Sequence, residues 1–227
     1  PASPTDTEDQ PKVATLNNGN VILTYSKAVG ADWDIYATVL KSSGGTVVSE
    51  FLVNQTTVYT QGTSTVAALD DGGFVIVWND KTDNVTFDVV AQRFDANGVK
   101  VGGVIAVNTF TTGSQQEPTI TGTFDGGFIV SWQSDTQDGD SWGIVAKRFD
   151  ANGNELGYTT LTGDAGNNTF NIAPSTSMIT IDGGAGTDSV VLSGAATDTN
   201  LIKITNGETV TAGAARDMAK TGNTLNN

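Results

Sequence analysis

The same strand-and-turn signature recurs three times at a near-constant interval. A chain built this way folds as a series of like units. The segments "VATLNNGNVILTYS" (13–26), "VAALDDGGFVIVWN" (66–79) and "ITGTFDGGFIVSWQ" (120–133) align, with Tyr25, Trp78 and Trp132 in one place at spacings of 53 and 54 residues. "DIYATVLKSSGG" (34–45) is matched by "DVVAQRFDANGV" (88–99) and "GIVAKRFDANGN" (143–154), and "EFLVN" (50–54) by "VIAVN" (104–108). The third copy runs out near "GYTTLTG" (157–163). A repeat of this length is one supersecondary unit that buries its apolar face against the next.

Each unit offers four strand candidates. Asn18-Gly19, Asp71-Gly72, Asn97-Gly98, Asp125-Gly126 and Asn152-Gly153 supply the turns, since glycine takes the positive φ that tight hairpins need. In the repeated Arg-Phe-Asp-Ala-Asn-Gly, Phe94 and Phe149 point inward while Arg93 and Arg148 face the other way. An anionic ligand for these arginines is the alternative; the first copy, with Val39 in that place, speaks against it. "FVIVW" (74–78) is apolar on both alternating faces, so it is buried on both. Radially stacked blades provide that environment.

The run "LDDGGFVIVWND…DVVAQRFDANGVKVGG…VN", with its third-copy counterpart, resembles tandem repeats of large secreted bacterial proteins of the RTX and adhesin type, over residues 10–157. The resemblance implies β-propeller blades in an extracellular or cell-surface protein, and no particular activity. Closed propellers have about 4–8 blades, and three are visible here. A β-trefoil and a β-prism therefore stay open as alternatives. Unpaired blade edges invite association, which favours a homo-oligomer or neighbouring repeats of the same protein as partner.

The expected organisation is an all-β chain: a polar lead-in (1–9), three four-stranded repeats (10–60, 61–114, 115–157), a small β-roll-like segment (158–211) and a C-terminal tail (212–227). From about residue 158 Trp vanishes and Gly-Asp-Asn clusters take over. "GDAGNNTFNI" (163–172) and "GGAGTDSVVL" (183–192) resemble the RTX nonapeptide, in which glycines form a tight turn and an Asp ligates Ca²⁺. The resemblance makes Gly184, Gly186 and Asp188 candidate metal-site residues, with Asp164, Asn168 and Asp182 beside them. The first copy departs from the pattern at Asp164 and Asn168, and a roll held by its strands with no ion is the alternative.

Composition excludes more than it selects. With no Cys and no His, the chain has no Ser-His-Asp triad, no Cys nucleophile and no His- or Cys-bound zinc. A net charge of −14 with 11 scattered Lys and Arg argues against nucleic acid as a partner. No apolar run approaches a membrane span, so membrane insertion is not expected. The acidity suits Ca²⁺.

No catalytic residue stands out, and no enzymatic activity is expected. The leading expectation is a non-catalytic extracellular structural or adhesive module, calcium-stabilised and self-associating. The alternative is a carbohydrate-binding, lectin-like module of the cell surface, or an accessory domain of a larger secreted enzyme. For that alternative the candidate ligand-binding residues are Trp33 and Trp142, near the same place in two repeats, with Asp138 and Asp140 beside the latter. Packing at blade junctions is the competing role for the two tryptophans.

Overall fold

A computed structural model describes residues 7–81, 83–137, 141–172, 178–192, 202–205 and 209–212. The chain divides into two compact units, Pro1–Glu155 and Leu156–Asn227. Every regular element among the described residues is a β-strand.

The first unit is a row of antiparallel sheets. The first blade comprises β1 (Glu8–Thr15), β2 (Val21–Val29), β3 (Asp32–Leu40) and β4 (Thr46–Leu52), in that spatial order. The second repeats it with β5 (Gln61–Ala68), β6 (Phe74–Asp80), β7 (Asp88–Phe94) and β8 (Lys100–Ala106). The third has three strands, β9 (Gln115–Gly122), β10 (Phe128–Asp135) and β11 (Trp142–Phe149), so the expected fourth strand is missing from this blade. Among the described residues its place holds a bridge between Phe149 and Glu155. Each of these sheets is a self-contained meander, and among the described residues no strand pairs from one blade to the next. The middle sheet packs on a neighbouring sheet through each of its faces, so the repeats stack as blades.

The turns follow the sequence closely. Gly19, Gly72, Gly98, Gly126 and Gly153 all have φ between 75° and 87°. The preceding Asn or Asp is not left-handed, so each is a type I turn closed by a left-handed glycine rather than a two-residue hairpin. Asp95 and Asp150 fix theirs with side-chain oxygens: Asp95 Oδ1 accepts from the amides of Asn97 and Val99, and Asp150 Oδ1 from those of Asn152 and Asn154.

Packing explains why β6 is apolar on both faces: all seven of its residues are buried. Phe74, Ile76 and Trp78 pack on Ile22, Ile35, Ala37 and Val39 of the first blade. Val75 and Val77 pack on Phe128, Val130 and Trp132 of the third. The repeated phenylalanines stack in pairs, Phe74 on Phe94 at 5.2 Å and Phe128 on Phe149 at 5.0 Å. Burying each such side chain contributes about 1.5–3 kcal/mol, so the two junctions hold the row together.

The second unit is built from parallel strands. β12 (Tyr158–Thr162), β14 (Met178–Asp182) and β16 (Ile202–Thr205) form one sheet. β13 (Thr169–Ile172), β15 (Ser189–Leu192) and β17 (Thr209–Ala212) form the other. Thr169 pairs with Ser189 and Ser189 with Thr209, so the second sheet advances by one 20-residue coil at a time. This is the β-roll-like tail.

Candidate functional site

At one edge of the first unit, β1, β5 and β9 begin, β2, β6 and β10 end, and β3, β7 and β11 begin. An aromatic stands there in each blade: Trp33 in β3, Phe87 just before β7, and Trp142 opening β11. Trp33 and Phe87 line a pocket of about 260 Å³, whose wall also carries Asp9, Ser26, Asn79 and Glu117.

The pocket sits where the backbone departs from regular strand. The pairing register shifts between Asp9 and Lys12 in β1, and between Gly62 and Thr65 in β5. A like shift separates the Ser131 and Gln133 pairings of β9 with β10. At these bulges Gln10, Thr63 and Glu117 have φ of 55°, 47° and 52°. Left-handed non-glycine residues cost about 1–3 kcal/mol each, and this cost recurs in all three blades. The sequence carries the cause in two of them. Pro11 and Pro118 lack the amide a ladder requires, so the strand bulges at the residue before. In the middle blade the Thr63 amide instead donates to Gln10 Oε1 at 2.7 Å, across the blade junction.

Two polar groups in the pocket wall have no partner. Ser26 Oγ and Asn79 Oδ1 are buried, in residues 3% and 4% exposed, and make no hydrogen bond. They hold equivalent places, each following the central aromatic of its blade, Tyr25 or Trp78. Leaving such an atom unsatisfied costs about 1–3 kcal/mol, and both residues belong to the pocket wall.

Beneath the pocket a buried polar relay ties the blades. Asn54 Oδ1 accepts from the Ile35 amide at 2.8 Å, and its Nδ2 donates to Asp34 Oδ1 at 2.7 Å. Gln61 Nε2 donates to Asp80 Oδ1 at 3.0 Å. The next junction repeats this one unit on: Asn108 serves the Val89 amide and Asp88, and Gln115 accepts from Trp132 Nε1 at 3.0 Å. Desolvation raises the Asp34 carboxyl above its usual range, opposed by the Asn54 hydrogen bond and helped by the Asp32 charge. Desolvation also raises Asp80, opposed by Gln61 and helped by Asp88.

The expected ligand-binding residues divide. Trp33 lines the pocket; Trp142, 49% exposed, stands at the matching place in the third blade outside its wall. Asp138 and Asp140 lie outside the described residues. Phe87 was missed by sequence reasoning, though it lies 54 residues after Trp33 and 55 before Trp142. The repeat keeps an aromatic at this register but changes its type. The repeated arginines are each paired with a turn carboxylate: Arg93 Nη2 lies 2.7 Å from Asp71 Oδ2, and Arg148 Nη2 lies 2.6 Å from Asp125 Oδ2.

In the tail, the expected metal-site residues come together in stacked turns. Asp164 Oδ1 accepts from the Gly166 amide at 2.8 Å and from Asn168 Nδ2 at 3.1 Å. Asn168 Oδ1 accepts from the Asp164 amide at 3.0 Å, and the Gly184 amide donates to Asp182 Oδ1 at 3.2 Å. A Cβ at Gly184 would collide with the Asp164 carbonyl, and one at Gly186 with the Gly166 carbonyl, so both glycines are required by coil stacking alone. Asp188 is 1% exposed; its Oδ1 accepts from the Asn168 amide at 2.9 Å, and its Oδ2 has no partner. Among the described residues that orphaned carboxylate oxygen is the feature that fits a cation, for a buried anionic oxygen is costly unless neutralised.

No protein family and no curated protein matches the sequence. The solved structures it is similar to include a protein of unknown function from Dyadobacter fermentans, at 12% identity and a TM-score of 0.48, over 66% of this chain and 53% of that one. An endo-arabinase from Bacteroides thetaiotaomicron is similar at 12% identity and TM-score 0.41, over 61% and 55%. An alpha-L-arabinofuranosidase from Clostridium thermocellum is similar at 11% identity and TM-score 0.44, over 67% and 53%. The chain thus spans about half the length of these structures.

Two of these neighbours are named as enzymes, and this corrects two expectations: that the chain is a non-catalytic structural or adhesive module, and that it is not an enzyme. Repetition and acidity were read as marks of a scaffold. Stacked blades equally well set a pocket into one edge, as this chain does. The likeness is one of fold, and no activity is carried over from it.

Proposed function

We propose that the chain is a carbohydrate-binding module of a larger secreted protein, with a sugar chain seated in the pocket between Trp33 and Phe87. The observation that carries this reading is a single opening lined by two half-buried aromatic rings and by polar side chains from three blades. Sugars have an apolar face that stacks on aromatic rings and a rim of hydroxyl groups that bonds to such side chains. Binding of this kind needs neither His nor Cys, and the chain has neither.

The test is isothermal titration of the whole chain with xylo-, manno-, cello- and arabino-oligosaccharides. At least one is expected to bind, and Trp33→Ala and Phe87→Ala are each expected to weaken it about tenfold, the loss of about 1.4 kcal/mol. Unchanged affinity in both variants would refute the pocket as the site.

A second reading concerns the tail. The unpartnered Asp188 Oδ2 supports Ca²⁺ bound at the turn formed by Asp164, Asn168 and Asp188. The ion would neutralise the buried carboxylate and brace the coil. It plays no part in the pocket.

A further inference from the structure

We infer that the pocket selects uncharged sugar chains and rejects polymers of uronic acids, an inference that rests on the carbohydrate reading above. Its wall carries neutral hydrogen-bonding side chains, Ser26 and Asn79 among them, which both donate and accept. Asp9 and Glu117, exposed on β1 and β9, add two carboxylates, which when ionised only accept. Among the described residues, no Lys or Arg lines the pocket. The nearby Lys81 ammonium is held over the Phe87 ring, 5.5 Å from its centre.

A sugar hydroxyl can bond to each of these side chains at no electrostatic cost. A uronate carboxylate brings a negative charge and two more acceptors, and the wall itself holds no cation to meet them. The buried Asp34 and Asp80 beneath, and a chain of net charge −14, reinforce the repulsion. A metal ion is a poorer occupant: among the described residues, no group of three or more acidic side chains could hold one.

The test titrates the full chain with the neutral oligosaccharides named above and with hexagalacturonate, at low and at high salt. The best neutral sugar is expected to bind at least about tenfold more tightly than hexagalacturonate at low salt, with a gap that narrows as salt screens the charges. The double variant Asp9→Asn with Glu117→Gln is expected to shrink that ratio severalfold, and its circular dichroism and melting curve show whether the fold is kept. Hexagalacturonate binding as tightly as the neutral sugars would overturn charge selection and leave the carbohydrate reading standing. A ratio unchanged in the folded double variant would overturn the role given to Asp9 and Glu117. No binding by any sugar, with tryptophan fluorescence unmoved, would overturn the carbohydrate reading and this inference together.

Discussion

Arg93 donates to the Asp71 carboxylate at 2.7 Å, tying the end of β7 to the turn between β5 and β6. Arg148 and Asp125 repeat the tie in the third blade at 2.6 Å. The most conspicuous repeat in the sequence is therefore a device for locking a hairpin. The Asp71 side chain is 55% exposed and that of Asp125 is 29% exposed, so screening differs between the two pairs. Chemical denaturation of Arg93→Ala is expected to show a loss of about 1 kcal/mol or less, and Arg148→Ala a larger one. A greater loss for Arg93→Ala would mean that buried packing of its stem, rather than the ion pair, dominates.

The Asn54 relay bears more weight. Its side chain satisfies a buried amide, and Asp34 depends on it. Asn54→Ala strands both, and a loss of about 2–3 kcal/mol is expected in urea unfolding. Asn108→Ala, which strands the Val89 amide and Asp88, is expected to lose a similar amount. Losses under half a kcal/mol in both variants would show that water replaces the relay.

Asp34 and Asp80 set a pH dependence. Burial raises both carboxyls above their unfolded values, so the folded state holds their protons more tightly. The stability they contribute is present below the unfolded pKa and is lost as the pH rises through the raised folded pKa. Asp80→Asn keeps an acceptor for Gln61 and removes the buried charge. It is expected to melt above the wild type at neutral pH, with the difference fading as the pH falls through the carboxylate range. A difference constant across that range would contradict the assigned cause.

The Ca²⁺ reading is tested by melting curves of the whole chain with calcium and with chelator. Calcium is expected to raise the transition of the tail, and Asp188→Asn to abolish the rise. Identical curves for the wild type in both conditions would remove the ion.

Much of the fold was legible in the sequence because local chemistry and tertiary demand agree there. The asparagine and aspartate turns, the doubly apolar β6 and the inward phenylalanines each state their environment in a few residues. The pocket was less legible. Its wall comes from three blades, and its polar groups are conspicuous only because nothing pairs with them, which no spacing reveals. Pro11 and Pro118 did signal the bulges, at matching places in two repeats. Phe87 was legible through its register with Trp33 and was hidden only by the change of residue type. The arginine ties escaped because Asp71 and Asp125 were already accounted for as turn residues.

Crystals of the chain soaked with its tightest-binding neutral oligosaccharide would test the proposed function most directly. The expected result is a sugar ring against Trp33 or Phe87, with its hydroxyl groups bonded to polar side chains of the pocket wall. A sugar bound elsewhere on the blades would contradict it.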